Sequence, residues 1–394
     1  MSFLAYITRP HQLKKTSGPT ERRVVQNRVE SEQDYEKLLS EASMENYLRA
    51  IEKFTFYSSV VPITLEQCKV LLGEHEKFVQ FRQKQKNDLE MKKSEKTTLL
   101  PNEFEPYKAW KDENELQQLV SVIQEAIDRE RVRKGDQSAG VFVRVSTISP
   151  KDAVMNNPNF AQRITEAEQY VRELERRENI CFESDLNRRL YALYIAGTSG
   201  MNVNSGEEAV QLLLESDRTR QEFESKVNLV DDKLLNIIVR EWSDFDVALE
   251  FRGFVHNGRF NALTQYNPYI YFPHLVKQRA DIEKLVRNFV DSQILTDEHL
   301  RHMGSFVIDV LLVLKPGKTF EDDVTERIED KYDVKIIELN PLGEMCGACC
   351  FSFEDDRDQI YGTGSKQGTF EFRMVEELPP FIREKIETSW GQYL

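Results

Sequence analysis

The sequence predicts an α+β protein built around an antiparallel sheet. The first support is a series of apolar, strand-like stretches between residues 235 and 314, separated by turn sequences such as HNG at 256–258. The second is the three- and four-residue spacing of apolar side chains in 113–133 and 160–178, which indicates amphipathic helices. The third is the length of 394 residues, which exceeds a single hydrophobic core and predicts two or three domains.

Composition and charge exclude several classes of protein. A hydrophobic fraction of 40% with 23 Phe and 14 Tyr is enough for a core, so wholesale disorder is not expected. The 53 basic and 67 acidic residues give a net charge of −14, which makes general nucleic-acid binding unlikely because phosphates would be repelled. The sequence contains no apolar stretch of 18 or more residues, so it predicts no membrane span. We therefore expect a cytoplasmic protein with reduced thiols.

The pattern along the chain divides it into four parts. A polar, basic start without periodicity predicts a mobile arm, and a region of helical spacing follows it. In that region Thr64 and Gln67 predict a capping box at a helix start, and the charged run 81–96 predicts a solvated helix or a linker. The predicted parts are the arm at 1–35, the helical region at 36–135, the mixed domain at 136–375 and a C-terminal helix or tail at 376–394.

The mixed domain has clear strand and helix patterns. Its first strand alternates Val141, Val143 and Val145 with Phe142 and Arg144, so one face is more polar than the other. The other predicted strands are 235–242, 247–255, 259–266, 304–314 and 334–340, and the predicted helices are 160–178, 183–196, 206–226 and 279–291.

Three polar residues interrupt apolar strands and form the main functional candidate. Asp309 lies in 304–314, while Glu338 and Asn340 share one face of the last strand. An unpaired buried charge would cost several kcal/mol, so a positive partner is expected. Two carboxylates and an amide oxygen suit Mg²⁺ that bridges nucleotide phosphates. The alternative, equally compatible with the residues, is a buried salt-bridged cluster with Arg252.

Basic residues near these strands are candidate partners of phosphate. Glu250 and Arg252 alternate with Phe251 and share one face of their strand, while Arg144 and Lys151 lie on and just after the first strand. A segment of the second strand offers a slot of adenine size, with backbone groups on the base edge and apolar walls on its faces. The slot would consist of Val239, Arg240, Glu241 and Trp242.

Three cysteines follow the carboxylate pair closely. Cys346, Cys349 and Cys350 form half of a zinc site, but the sequence has no second CxxC or HxxxH pair to complete four ligands. Small thiols facing the core are therefore the favoured interpretation.

Six short motifs lie between about 140 and 355. They are VFVRVSTISPKDA at 141–153, LLLESD at 212–217, VREW at 239–242, EFRGFV at 250–255, VIDV at 307–310 and ELNPLGE at 338–344. In this order they resemble the motifs of the cell division cycle protein 123 family, a branch of the ATP-grasp fold.

The resemblance implies ATP held between two α+β subdomains, with Mg²⁺ on Asp309, Glu338 and Asn340. It also implies that Arg252 and the basic residue at 144 contact the triphosphate and that the segment at 239–242 reads adenine. The best-known role in that family is the assembly of translation initiation factor 2 through its gamma subunit.

The chain departs from the family pattern at several points. Arg144 stands where the family has a lysine, and Glu338, Leu339 and Asn340 replace the usual Asp-X-Asn triplet. Trp242 follows a glutamate instead of a lysine, and the first 135 residues have no evident counterpart.

Three functions remain open from the sequence. The first is an ATP-dependent assembly chaperone of a cytoplasmic complex. The second is an ATP-dependent carboxylate–amine or thiol ligase that acts through an acylphosphate, with Arg252 as the catalytic residue that stabilises the transferring charge. The third is a pseudoenzyme scaffold, which the intact metal triplet disfavours.

Overall fold

The structure is a computed structural model that describes residues 43–92, 104–182, 184–228, 235–319 and 327–377. The predicted arm at 1–35 and residues 378–394 of the predicted tail lie outside this part of the chain. The helices are α1 (Met44–Ile51), α2 (Leu65–Lys92), α3 (Asn114–Lys134), α4 (Phe160–Glu178), α5 (Asp185–Ser199), α6 (Gly206–Glu215), α7 (Asp217–Asn228), α8 (Pro273–Val276), α9 (Arg279–Phe289), α10 (Glu298–Arg301), α11 (Ile328–Lys331) and α12 (Arg357–Tyr361). The strands are β1 (Ser58–Ile63), β2 (Val141–Val145), β3 (Asn202–Val203), β4 (Leu235–Glu241), β5 (Glu250–His256), β6 (Arg259–Gln265), β7 (Phe306–Leu314), β8 (Tyr332–Asn340) and β9 (Glu371–Arg373).

The chain forms two compact units. Among the described residues, those between 56 and 247 form the first unit, and those of 43–55 together with those between 248 and 377 form the second unit. The boundary drawn from the sequence between residues 135 and 136 falls inside the first unit. Periodicity changes at that point from helical to alternating, but the packing of the chain is continuous across it.

The first unit contains a four-stranded antiparallel sheet in the order β1-β4-β2-β3. One face carries buried valines, among them Val143 and its partner Val239 in the register. Helix α3 packs against β1, β4 and α6, so the apolar face is covered by helices. The opposite face carries Phe142 and Arg144, as the alternation in the sequence predicts.

The prediction of a helical region at 36–135 is partly correct. Helix α2 begins with the predicted capping box: the Thr64 N–H donates to Gln67 Oε1 (3.0 Å), and the Gln67 N–H donates to Thr64 Oγ1 (3.1 Å). Residues 81–92 continue α2, which agrees with a solvated helix, and 93–96 lie outside the described residues. The prediction is wrong at β1, because Ser58–Ile63 pairs along its whole length with β4.

The second unit contains a five-stranded sheet in the order β8-β7-β5-β6-β9. Its pairs are antiparallel except for the parallel pair β6–β9. The HNG turn joins β5 to β6 with positive φ at Asn257 (51°) and Gly258 (68°), as a tight hairpin turn requires. On one face, Phe254, Val307, Phe351 and Ile360 belong to a buried apolar cluster. The α+β class predicted from the sequence is confirmed.

One predicted helix is two helices. The stretch 206–226 is interrupted at Ser216, which has extended backbone angles (φ −90°, ψ 120°). Its Oγ accepts a hydrogen bond from the Thr219 N–H (3.2 Å) and so begins α7. Apolar residues have helical spacing on both sides of the break, so the sequence pattern does not reveal it. Among the described residues, no helix is long and apolar enough to cross a membrane.

Candidate functional site

The centre of the candidate site is a buried ion pair in the second unit. Arg252 on β5 and Asp309 on β7 are partners in the strand register. Arg252 Nε donates to Asp309 Oδ1 and Nη2 donates to Oδ2, each at 2.7 Å, and both side chains are 1% exposed. Burial raises the pKa of the Asp309 carboxyl, and the positive charge of Arg252 opposes that rise. Each charge of the pair is therefore compensated by the other in a region that is shielded from solvent.

Strand β8 brings the other two candidate ligands to this pair. Glu338 is the register partner of Asp309, and the register shifts directly after Asp309. Asn340 Nδ2 donates to Asp309 Oδ2 at 3.4 Å. Glu338 and Asn340 are half-buried. The structure thus confirms that Asp309, Glu338 and Asn340 lie side by side, as strand alternation predicts.

The salt-bridged alternative is therefore the geometry that the structure contains. Asp309 already accepts two hydrogen bonds from Arg252 and one from Asn340, which leaves lone pairs on its oxygens for a further partner. The Asn340 amide points its nitrogen at Asp309, so its oxygen is directed elsewhere. Among the described residues, no group of three or more His, Cys, Asp or Glu side chains is arranged to hold a metal. Magnesium binding by two carboxylates and one amide stays a prediction.

Arg252 also holds the cysteine-containing loop that follows β8. Its Nη1 donates to the carbonyl oxygens of Cys346 and Gly347, the latter at 3.0 Å. The guanidinium lies over the Tyr266 ring, 5.0 Å from its centroid. Four of its five N–H groups thus face acceptors in the described residues. These contacts could not be predicted from the sequence, because carbonyl acceptors in a loop leave no signal in residue identity.

The three cysteines lie against the site as thiols. Burial raises the pKa of Cys346 and Cys350 to about 11 and that of Cys349 to about 12. Cys346 Sγ donates to the Pro341 carbonyl at 2.8 Å. A raised pKa favours the neutral thiol over the thiolate in each of them. Cys346 and Cys349 therefore lie near Arg252, a point that the sequence left open.

Glu250 lies two residues before Arg252 on β5, on the same face of the sheet, as predicted. It is buried with 8% exposure and is among the charges that raise the pKa of Tyr266, where burial is the main cause. The second unit thus places Glu250, Arg252, Asp309 and Glu338 on one face of adjacent strands.

The first unit carries the remaining candidates. Arg144 on β2 and Arg240 on β4 are buried, and the Arg144 Nε donates to the Val145 carbonyl at 3.3 Å. The Arg240 guanidinium lies over the Phe56 ring, 5.0 Å from its centroid. The role predicted for Arg240 concerned its backbone only, although alternation along β4 indicates that its side chain projects away from the valine face.

Lys151 lies half-buried in the turn that follows β2. Its neighbour Asp152 accepts a hydrogen bond from Ser216 Oγ (2.6 Å) and one from the Arg218 N–H (3.3 Å). Two of the motifs, SPKDA and LLLESD, therefore meet in the first unit. Asp152 fixes this turn to the start of α7, a contact that the sequence did not reveal.

The backbone of the predicted adenine slot is engaged in the sheet. The Glu241 N–H donates to the Tyr57 carbonyl (2.9 Å) and the Trp242 N–H donates to the Gly140 carbonyl (3.4 Å). The Trp242 carbonyl accepts from Lys134 Nζ at 2.6 Å. Reading of adenine by this segment stays a prediction, and any use of these groups would require the exchange of existing hydrogen bonds.

A model of the D123 family matches residues 48–388. The chain belongs to the D123 family. The predicted membership of the cell division cycle protein 123 family is thereby confirmed. The expectation that the first 135 residues have no counterpart is wrong for residues 48–135, because the D123 match begins at residue 48.

Curated relatives of this D123 chain carry the name "Translation initiation factor eIF2 assembly protein". The relative from Vanderwaltozyma polyspora is 26% identical over 198 residues, which is 47% of this chain and 48% of the relative. The relative from Xenopus laevis is 23% identical over 175 residues, which is 43% of this chain and 46% of the relative. The chain therefore spans about half the length of the curated relatives that it matches.

The fold also matches a solved D123 structure. Cdc123 from Schizosaccharomyces pombe aligns with a TM-score of 0.51 and 15% identity over 86% of this chain and 96% of the solved chain. At this identity the similarity concerns the fold alone.

Proposed function

We propose that this chain binds ATP together with Mg²⁺ through an ATP-grasp-like domain, with Asp309, Glu338 and Asn340 as the metal ligands. The observation that carries the proposal is the meeting of these three side chains across β7 and β8. All three offer hard oxygen atoms, which Mg²⁺ prefers, and one or two carboxylates are its usual protein ligands when phosphates supply the rest.

Arg252 has a defined part in this proposal. Its two hydrogen bonds of 2.7 Å fix the plane of the Asp309 carboxylate, so the lone pairs that remain have fixed directions. Its positive charge also opposes the rise in the pKa of Asp309 that burial causes. Bound Mg²⁺ would neutralise phosphate charge and orient the triphosphate. Arg252 thus orients a metal ligand. The described contacts leave at most one of its N–H groups for the predicted contact with phosphate.

We further propose that the chain takes part in assembling the translation initiation factor eIF2 as an ATP-dependent chaperone in the cytoplasm. The support is similarity to curated relatives whose name states that role. The family resemblance points to the gamma subunit of the factor as the client. A protein client also agrees with the net charge of −14, which disfavours nucleic acid as the partner.

Calorimetric titration with ATP in the presence of Mg²⁺ tests the nucleotide proposal. We expect Glu338→Gln to weaken binding at least about tenfold, because it removes one charged ligand from a half-buried position. Glu354→Gln is the matched control, since Glu354 is an exposed carboxylate of the same unit. Equal affinity of the wild type and Glu338→Gln, with both folded by circular dichroism, would refute the metal assignment.

Pull-down of the purified eIF2 gamma subunit tests the client. We expect retention by the wild type with ATP and Mg²⁺, and reduced retention by Glu338→Gln. An assay for ADP on the same samples separates binding from turnover, because ADP release that needs an added amine or thiol would identify a ligase. Failure to retain the gamma subunit under any of these conditions would contradict the assembly role.

A further inference from the structure

We propose that a cavity in the second unit binds a primary ammonium group, carried by a free alkyl amine or by the lysine side chain of a protein. The cavity has a volume of about 590 Å³. The lining residues that carry the inference are Lys53, Phe54, Ser292, Thr296, Asp297 and Glu298. None of them is among the residues proposed for the nucleotide site, so the inference goes beyond the proposed function.

One wall of the cavity has irregular backbone. A π-helical turn at Val290–Ile294 continues α9, and the Leu295 N–H donates to the Val290 carbonyl, five residues back, at 2.9 Å. Turns of this kind are rare and are frequent at functional sites. Ser292 lies in the turn and Thr296 follows it, and both line the cavity.

The hydroxyl groups of this wall offer acceptors to a ligand. Ser292 Oγ donates its proton to the Asn288 carbonyl, and Thr296 Oγ1 donates to the Ser292 carbonyl at 2.8 Å. A hydroxyl has one proton and two lone pairs, so these bonds leave lone pairs of both oxygens for a donor. The carboxylates of Asp297 and Glu298 are acceptors as well. Such a lining suits an ammonium group, which has three N–H donors and no acceptor.

Lys53 shows how an ammonium group fits this lining. Its Nζ lies 3.3 Å from Asp297 Oδ2 and 4.6 Å from the centroid of the Phe54 ring. The Phe54 ring packs edge-to-face against Phe289, with 5.6 Å between the ring centroids, so its position is fixed from behind. A carboxylate and an aromatic face together attract a cation through its charge alone, whichever molecule carries it.

A ligand can take the place of Lys53. The Lys53 side chain is 66% exposed, and an ion pair with so exposed a cation contributes little to stability. The Asp297 side chain is only 13% exposed, so water screens its charge less. Among the described residues of the lining, two carboxylates face one ammonium group, which leaves a net negative charge. A second ammonium group is therefore attracted to the cavity and competes with Lys53 for Asp297.

Calorimetric titration of the full chain at low ionic strength tests the inference. The probes are putrescine, a free alkyl diamine, and the peptide acetyl-Gly-Lys-Gly-amide, whose only ammonium group is that of the lysine side chain. We expect at least one probe to bind the wild type with a dissociation constant of about 1 mM or less. Asp297→Asn should weaken binding at least about tenfold, because it removes the charge and keeps an acceptor oxygen.

Lys53→Met gives the opposite result if the inference is correct. It removes the competing ammonium group and keeps an unbranched apolar side chain, so we expect binding to become at least about threefold tighter. A residue with a merely structural role would not produce a gain in affinity. Glu354→Gln is the matched control, because it removes an exposed carboxylate of the same unit, and its affinity should stay within about twofold of the wild type.

The two probes distinguish the sources of the ammonium group. Tighter binding of putrescine identifies a free amine, and tighter binding of the peptide identifies a protein lysine. Phe54→Leu keeps the inference testable if Asp297→Asn does not fold, since loss of the aromatic face should weaken binding at least about threefold. No binding of either probe by the wild type, or wild-type affinity in the folded Asp297, Lys53 and Phe54 variants, would overturn the inference.

Discussion

Arg252 and Asp309 carry opposite charges where neither side chain contacts bulk water. From the sequence alone, substitution of Asp309 or of Glu338 would test the metal site equally well. The structure distinguishes the two residues, because Asp309 is the buried ion-pair partner of Arg252. Asp309→Ala leaves a buried guanidinium without its counter-charge, so we expect the free energy of unfolding to fall by about 3 to 5 kcal/mol. Urea denaturation measures it, with the exposed Glu354→Ala as control. A loss below about 1 kcal/mol would mean that the pair is not buried as described.

His75 on α2 offers a test that depends on pH. Its Nδ1 lies 2.7 Å from the Leu214 carbonyl and its Nε2 lies 3.3 Å from Asp217 Oδ1. Burial lowers the pKa of the imidazole and Arg220 opposes protonation, but the bonds to Asp217 and Leu214 outweigh both, so the pKa is raised. Both ring nitrogens can then donate, which favours the imidazolium in the folded state.

The stability that comes from His75 should therefore be greatest at low pH. A folded-state pKa above the unfolded value of about 6.5 gives stabilisation that is complete below pH 6.5 and is lost as the pH rises through the folded-state pKa. Urea unfolding of the wild type and His75→Gln between pH 5.5 and 9 measures the difference. We expect the difference to shrink as the pH rises, and a difference that grows with pH would have the wrong sign.

At the scale of residues, side-chain alternation was enough to bring the metal candidates together. Glu338 and Asn340 are two apart on a strand, and Asp309 interrupts the longest apolar strand, so their meeting follows from strand geometry. The acceptors of Arg252 in the cysteine loop were not predictable, since any residue has a carbonyl oxygen. Strand alternation also places the Arg240 side chain on the same face of the sheet as Arg144.

At the scale of elements, close packing explains the glycine at position 253 of β5. An added Cβ would lie 2.6 Å from Phe260 Cε2 and 3.0 Å from Ile308 Cγ2. We expect Gly253→Ala to lower the free energy of unfolding by about 1 to 3 kcal/mol, as overpacking of a core does. Chemical denaturation measures the loss.

Gly73 provides the control for that substitution. It lies inside α2 with nothing within 4 Å of an added Cβ, so alanine there should stabilise the chain by about 0.5 to 1 kcal/mol. Equal effects of Gly73→Ala and Gly253→Ala would show that the close packing around β5 does not decide the outcome.

Elements with local signals were predicted well. The capping box of α2 and the long apolar strands β7 and β8 have patterns that neighbouring residues determine. Strand β1 was missed, because it is only six residues long, contains Pro62 and gains its hydrogen bonds from β4, more than 170 positions along the chain. Pairing over such a distance leaves no trace in local periodicity.

At the scale of the whole molecule, the composition of the two units was not accessible from sequence. Residues 43–55 pack with the unit that begins at Ala248. Thr55 Oγ1 donates to the Ile336 carbonyl (2.6 Å), and Tyr47 Oη accepts from the Leu339 N–H (3.1 Å), contacts that join positions 281 and 292 apart. Domain boundaries read from composition assume continuous segments, and this chain does not satisfy that assumption.

The central claim is that Asp309, Glu338 and Asn340 hold the metal of a bound nucleotide. A crystal structure of the chain grown with ATP and Mn²⁺, with anomalous data recorded for the metal, tests it most directly. We predict an anomalous peak about 2 Å from oxygens of Asp309, Glu338 and Asn340, with Arg252 still bound to Asp309. Nucleotide bound with its metal elsewhere, or crystals that take up ATP and leave these three side chains without a metal, would contradict the claim.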